Sequence, residues 1–150
     1  MKVKEIRIVA LIPTRAGCAV FLGNTRKVIH FFIDLHIGAS INDAIAGEAY
    51  ERPLTHDLFS QSMSVFGATM KKMIINDLKD ETYFALVYWE MENEVKQRKV
   101  VEIDSRPSDA LALSVRQQAP IYINQEVWDR SENMHSLLKE LQNQVGEELP

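Results

Sequence analysis

The sequence predicts an α+β fold, with mainly antiparallel strands and about four packed helices. Three observations predict it. Apolar residues alternate at period two in the first strand of an opening meander, a hairpin followed by a chain reversal occupies the middle, and helical apolar stripes sit between and after these blocks.

Val3 to Ile12 reads as a strand with Ile6, Ile8, Ala10 and Ile12 on one face, stopped by Pro13 and Gly17. Cys18 to Leu22 gives a second strand and Gly23-Asn24 a turn. Lys27 to Ile33, rich in β-branched and aromatic residues, gives a third strand. Ser40 can cap a first helix whose Ile41, Ala44, Ile45 and Ala49 form one stripe, shortened by Gly47. Thr55 then caps a helix bearing Leu58, Phe59, Met63 and Phe66 on an inward face, closed by Gly67. Thr69 to Leu78, a Lys79-Asp80-Glu81 turn and Tyr83 to Met91 form a hairpin, and Glu92 to Gln97 reverses the chain into Arg98 to Asp104. Ser105 or Ser108 caps a helix from Asp109 to about Gln118 that is apolar around most of its circumference, so it is the core helix. Pro120 leads into a short strand, Ile121 to Ile123. Ser131 caps a last helix with Leu137, Leu138, Leu141 and Val145 on one stripe, and Gly146 to Pro150 frays. No repeat or linker divides the chain: residues 1–130 form the domain, and residues 131–150 its C-terminal helix and tail.

The 150 residues, 46% apolar and 25% charged, suffice for a core without disulfides or a structural metal. Apolar runs such as Val28 to Ile33 fall far short of the roughly 18 to 20 residues of a membrane helix, and Met-Lys-Val-Lys-Glu at the start has no apolar leader. The expected compartment is the cytoplasm, with no membrane partner. Cys18, the one cysteine, excludes an internal disulfide and multi-cysteine metal sites, and its apolar neighbours make it a core thiol. A net charge of −4 argues against a passive nucleic-acid coat. It argues less against a nuclease, because divalent cations can offset acidic ligands and substrate charge together.

Two constellations carry candidate chemistry. Glu102-Ile103-Asp104-Ser105-Arg106-Pro107-Ser108-Asp109 gathers three carboxylates and a guanidinium where a strand hands over to the core helix. Arg106 can fork to Asp104 or Asp109 and lock the corner; alternatively Asp104 and Asp109 can ligate Mg²⁺ or a similar hard cation while Arg106 holds a phosphate. Arg52-Pro53-Leu54-Thr55-His56-Asp57 is again a chain entering a helix. There Thr55 and Asp57 can serve the helix end, or His56 can act as a general acid or ligand oriented by Asp57. His30, His36 and His135 read as packing or surface residues, and Tyr83, Phe84, Tyr88 and Trp89 as strand packing more than a base-stacking track.

At these two corners the sequence resembles the bifunctional nuclease family of small bacterial proteins and plant domains. The resemblance rests on Arg52-Pro-Leu-Thr-His-Asp-Leu58, Asp77-Leu-Lys-Asp-Glu-Thr-Tyr-Phe-Ala85, and Ile103-Asp-Ser-Arg-Pro-Ser-Asp-Ala110 running into Ala119-Pro-Ile-Tyr-Ile123. It implies a mixed α+β domain with a strongly curved sheet, association as a homodimer or higher homo-oligomer, and hydrolysis of phosphodiester bonds in DNA and RNA. The residues it carries over are His56, Asp57, Asp104, Arg106, Ser108 and Asp109. One departure is clear: family members carry Ile-Gly-x-x-Glu at the start of the first helix, whereas Ile37-Gly38-Ala39-Ser40 is here followed by Ile41. The acidic position is lost.

The leading expectation is a metal-assisted nuclease. Asp104 and Asp109, joined by Asp57, hold a divalent cation such as Mg²⁺, Arg106 stabilises phosphoryl charge and His56 protonates the leaving oxygen. Arg52, Thr55, Ser105 and Ser108 are the expected substrate contacts. The alternatives are a non-catalytic homo-oligomeric binding or assembly module, in which both motifs are structural corners, and an anion or nucleotide sensor using the helix N-termini. The nuclease reading requires the two corners to meet in space.

Overall fold

The computed structural model describes the backbone of residues 1–148 and the side chains of residues 1–145. In chain order the elements are β1 (Val3–Thr14), β2 (Gly17–Gly23), β3 (Val28–Ile33), α1 (Leu35–Ile45), α2 (Thr55–Val65), β4 (Ala68–Lys79), β5 (Thr82–Glu92), β6 (Arg98–Ser105), α3 (Pro107–Gln117), β7 (Ile121–Asn124), α4 (Gln125–Arg130) and α5 (His135–Glu148). The strands form one seven-stranded sheet in the order β3-β2-β1-β7-β4-β5-β6. Every pairing is antiparallel except β4 with β7, so the fold is α+β with a mixed, mainly antiparallel sheet. No described helix is long and apolar enough to cross a membrane.

The continuous apolar run of β2 follows from burial on both faces. Cys18, Val20 and Leu22 join the main core with Ile41 of α1 and Leu111 of α3, while Ala19 and Phe21 join a second cluster under Leu138 of α5. Cys18 is therefore core, and burial raises its thiol pKa above the ordinary value. In β1 the single apolar face expected from alternation does not form. A bulge between Ile8 and Ala10 leaves Ile6 and Ile8 facing the main core and turns Ala10 and Ile12 toward the second cluster. One extra residue reverses the side-chain phase of everything after it.

The β4–β5 turn is two residues long, with Lys79 opposite Thr82 and both Asp80 (φ 49°) and Glu81 (φ 65°) left-handed, the geometry that suits strand twist. α1 begins at Leu35, earlier than the Ser40 cap predicts. The Asp34 carboxylate accepts from the amides of His36 (2.8 Å) and Ile37 (3.3 Å), while Ser40 lies inside the helix and donates to the Ile37 carbonyl at 2.8 Å. Ile41, where the family's glutamate is lost, is fully buried in the main core, so the position serves packing in this chain.

In α2, Thr55 is the first helical residue and Leu54 the cap position, so Thr55 is not the N-cap. Its apolar stripe also departs from expectation. Leu58, Phe59 and Phe66 are exposed while Ser60 is buried, where its hydroxyl accepts from Gln117 Nε2 at 2.7 Å. α2 meets α3 and β4 along this side, where Met63 of the expected stripe packs against the main core, and leaves Leu58, Phe59 and Phe66 on the outer flank. α3 is the core helix, with Ser108, Ala110, Leu111, Ala112, Leu113 and Ser114 all buried; its cap position is Arg106 and Pro107 occupies the first turn. The chain after β7 forms a helix absent from the sequence reading, α4, which buries Val127 and Trp128. Ser131 ends α4 and does not cap α5. Helical backbone continues to Glu148, past the point where fraying is expected; residues 149–150 lie outside the described residues.

Candidate active site

The first turns of α2 and α3 lie side by side, and the two polar corners meet there. His56, in the first turn of α2, contacts Asp109, in the first turn of α3, with Nε2 to Oδ1 at 2.9 Å. Arg106 forks onto the same carboxylate through Nε to Oδ2 (2.8 Å) and Nη2 to Oδ1 (3.1 Å). The fork goes to Asp109 and not to Asp104. His56 and Asp109 are half-buried, while the Arg106 side chain is 71% exposed.

The hydrogen bonds of Arg106, partly opposed by desolvation and reinforced by His56, hold the Asp109 carboxyl below its usual range. Asp109 is therefore ionised at neutral pH and accepts only. Neutral His56 must then carry its proton on Nε2 and keep its lone pair on Nδ1. The orienting carboxylate is thus Asp109, 53 residues away in sequence, and not the adjacent Asp57. Neighbouring residues on a helix point about 100° apart, so Asp57 cannot share the imidazole's direction.

Asp57 instead closes its own helix end and ties it to α3. Its Oδ2 accepts from the Leu54 amide at 2.8 Å and its Oδ1 accepts from Arg116 Nε at 2.6 Å. Desolvation raises the Asp57 pKa, but the Arg116 and Leu54 hydrogen bonds together outweigh it and leave the carboxyl below its ordinary value. Arg116 also donates through Nη1 to the Ala112 carbonyl at 2.8 Å, and only 8% of its side chain is exposed. Sequence reasoning missed Arg116. The available signal was spacing: Asp109, Ala112 and Arg116 fall on one stripe of α3, facing α2.

Asp104 is exposed at the end of β6, opposite Leu86. With Ser105, Arg106 and Ser108 it lines a cavity of about 1260 Å³, whose other walls include Phe31 and Phe32 of β3 and Tyr83 and Phe84 of β5. Ser105 donates to the Arg106 carbonyl at 2.9 Å, and Ser108 is buried. Arg52 and Thr55 are exposed beside the His56 turn. The structure thus joins His56, Asp109 and Arg106 directly, with Asp57 clamped beside them and Asp104 on the cavity wall.

The same geometry tests the expected metal ligands. Both Asp109 oxygens face His56 and Arg106, and both Asp57 oxygens face Arg116 and the Leu54 amide. Among the described residues no group of three or more His, Cys, Asp or Glu side chains could hold a metal ion. Asp109 and Asp57 are arranged as ion-pair partners, and Asp104, exposed on the cavity wall, is left alone among the expected ligands, which does not fit a resident hard cation needing several oxygen ligands.

Two curated relatives share sequence with this chain. Both are uncharacterized proteins of Mycobacterium tuberculosis, MT1877 from strain CDC 1551 / Oshkosh and Rv1829 from strain ATCC 25618 / H37Rv. Each is 31% identical over 100 residues, covering 64% of this chain and 56% of the relative. The match thus spans little more than half the length of either relative. The family model for the bifunctional nuclease domain matches residues 20–148, a stretch that includes both corners of the site. The chain that brings His56, Asp109 and Arg106 together belongs to the bifunctional nuclease domain family.

Proposed function

We propose that this protein is a nuclease that hydrolyses phosphodiester bonds of DNA or RNA in the cytoplasm, with copies of the chain associating as a homo-oligomer. One observation carries the hydrolytic reading: an imidazole, the carboxylate that orients it and an exposed guanidinium form one hydrogen-bonded set at the ends of α2 and α3. In this reading Asp109 fixes His56 with Nδ1 free to exchange a proton. Nδ1 takes a proton from the attacking water, whose oxygen bonds to phosphorus. The P–O bond to the leaving oxygen breaks on the opposite side of phosphorus, a solvent water protonates that oxygen, and the imidazolium releases its proton to solvent. Arg106, whose Nη1 is not committed to Asp109, binds a phosphoryl oxygen and stabilises the charge that grows there. Arg52, Thr55, Ser105 and Ser108 contact substrate, and Asp104 on the cavity wall orders the attacking water. No step passes through a metal.

The test is a nuclease assay on highly purified protein with single- and double-stranded DNA and RNA, with and without EDTA, beside His56→Ala and Asp109→Asn. Wild-type turnover that survives EDTA and falls about 10²- to 10⁴-fold in both variants is the expected result. Equal activity in all three preparations marks a contaminant and overturns the reading. Loss of activity in EDTA alone would restore the metal-assisted route. A second reading, the non-catalytic assembly module, draws support from the ion pairs themselves, since Arg106–Asp109 and Arg116–Asp57 also lock the two helix ends. It predicts normal folding and no turnover on any of the four substrates. The anion-sensor alternative predicts a rise in melting temperature with phosphate or nucleotides, again without turnover.

A further inference from the structure

The two ends of the sheet differ in how their edges are treated. At β3 the edge is partly covered: the Val28 amide donates to Asn133 Oδ1 at 3.2 Å and the Val28 carbonyl accepts from the Met134 amide at 2.8 Å. At β6, among the described residues, no hydrogen bond from another element reaches the outer side of Arg98 to Asp104. Alternate residues of this eight-residue strand, those whose backbone groups do not pair with β5, thus present unpaired amides and carbonyls, a template for one more strand. The surroundings are apolar. Val100 is 58% exposed, Ile103 is exposed, and nearby α2 turns outward Leu58, Phe59 and Phe66, the last 78% exposed. Phe59 packs on the neighbouring strand β5, its ring 6.1 Å from that of Trp89, the residue paired with Val101 of β6. An exposed apolar surface on both an open edge and the adjoining helix marks an interaction site.

We propose that the occupant is a second copy of this chain, its β6 pairing antiparallel with the first about a two-fold axis through Val101. The register follows from symmetry and charge. In an antiparallel pair, opposed side chains share a face, and a two-fold axis normal to the sheet keeps each residue on its own face. Opposed residues must therefore have the same parity in sequence, so the axis passes through a residue. Two registers engage seven of the eight residues of β6. An axis through Glu102 sets Glu102 against the partner's Glu102 and Val100 against the partner's Asp104, a like-charge contact at the centre. An axis through Val101 sets Val101 against the partner's Val101, and Arg98 against the partner's Asp104 at both ends. Arg98 is free to make that contact, being exposed and only loosely held, at 3.7 Å, to Glu90 on the same face. Charge complementarity selects the second register. It also brings the partner's Arg98 beside Asp104, on the wall of the candidate site.

This inference rests on the self-association included in the proposed function and adds its surface and register. Light scattering coupled to size exclusion tests both parts. The wild type is expected at twice the chain mass. Arg98→Asp alone and Asp104→Arg alone each place like charges opposite one another and raise the dimer dissociation constant about tenfold, and the double reversal restores it. A monomeric wild type overturns both the self-association and this interface. A dimer indifferent to the charge reversals leaves self-association standing and overturns the interface alone. Val101→Cys gives an independent readout. Its two copies would sit about 4.5 to 5.5 Å apart at Cα, within disulfide range, and should cross-link on oxidation while Glu102→Cys does not. Cys18 is buried and does not compete. Cross-linking of Glu102→Cys in place of Val101→Cys would overturn the register.

Discussion

Replacing Arg116 with methionine keeps the length of the side chain and removes the clamp between α2 and α3. Two hydrogen bonds disappear, one to Asp57 at 2.6 Å and one to the Ala112 carbonyl at 2.8 Å. Both are donated by the guanidinium, and a hydrogen bond to a charged group contributes about 1.5–3 kcal/mol. The Asp57 carboxylate is then left without its counter-charge, but it keeps the Leu54 amide and is 28% exposed, so water recovers part of the loss. A net destabilisation of about 3 kcal/mol follows, equivalent to a fall in Tm of about 9 °C for a chain of this size. The double-mutant cycle with Asp57→Asn isolates the pair: because each single change strands its partner, the double variant should lose at least about 1.5 kcal/mol less than the sum of the two. Urea denaturation of the four proteins measures the destabilisation and the coupling, and thermal melts give the Tm. A Tm within about 2 °C of wild type, or a coupling below about 0.5 kcal/mol, would show that the clamp contributes little and refute the reasoning.

Two further predictions concern stability. Asp57 and Asp109 have folded-state pKa values below those of the unfolded chain, so their contribution is complete above the unfolded carboxylate range and is lost as pH falls through the folded values. Urea midpoints should therefore decline with acidification below about pH 4, and Asp57→Asn with Asp109→Asn should flatten that decline; an equally steep decline in the double variant would contradict the assignment. Gly38→Ala should destabilise the protein by about 1–3 kcal/mol although alanine is the better helix former, because a β-carbon there would lie 2.5 Å from Cys18 Sγ and 2.6 Å from Cys18 Cβ. A higher urea midpoint for this variant would show that α1 can move off β2 without cost.

Much of the fold is legible in the sequence because it is written at short range. Alternation in β1, the short turn-bounded apolar runs of β2 and β3, and the strand–turn–strand pattern of β4 and β5 give the opening meander and the hairpin, and an all-round apolar segment gives α3 as the core helix. The failures come from contacts between distant segments. The outward face of α2 carries Leu58, Phe59 and Phe66, which periodicity alone assigns to a core. Only the packing of its Ser60 side against Gln117 of α3 shows which way the helix turns. The bulge in β1 is likewise invisible until β2 fixes the register.

The candidate site divides along the same line. Residue types near a helix start determine locally that His56, Asp57, Arg106 and Asp109 cluster as two polar corners, since the free amides and the dipole there favour them. Which carboxylate serves which cation is decided only when α2 and α3 come together. Hydrogen bonds act over about 3 Å and depend on direction, so partners 53 or 59 residues apart are set by packing and not by spacing along the chain. That packing gives Asp109 to His56 and Arg106, and gives Asp57 to Arg116.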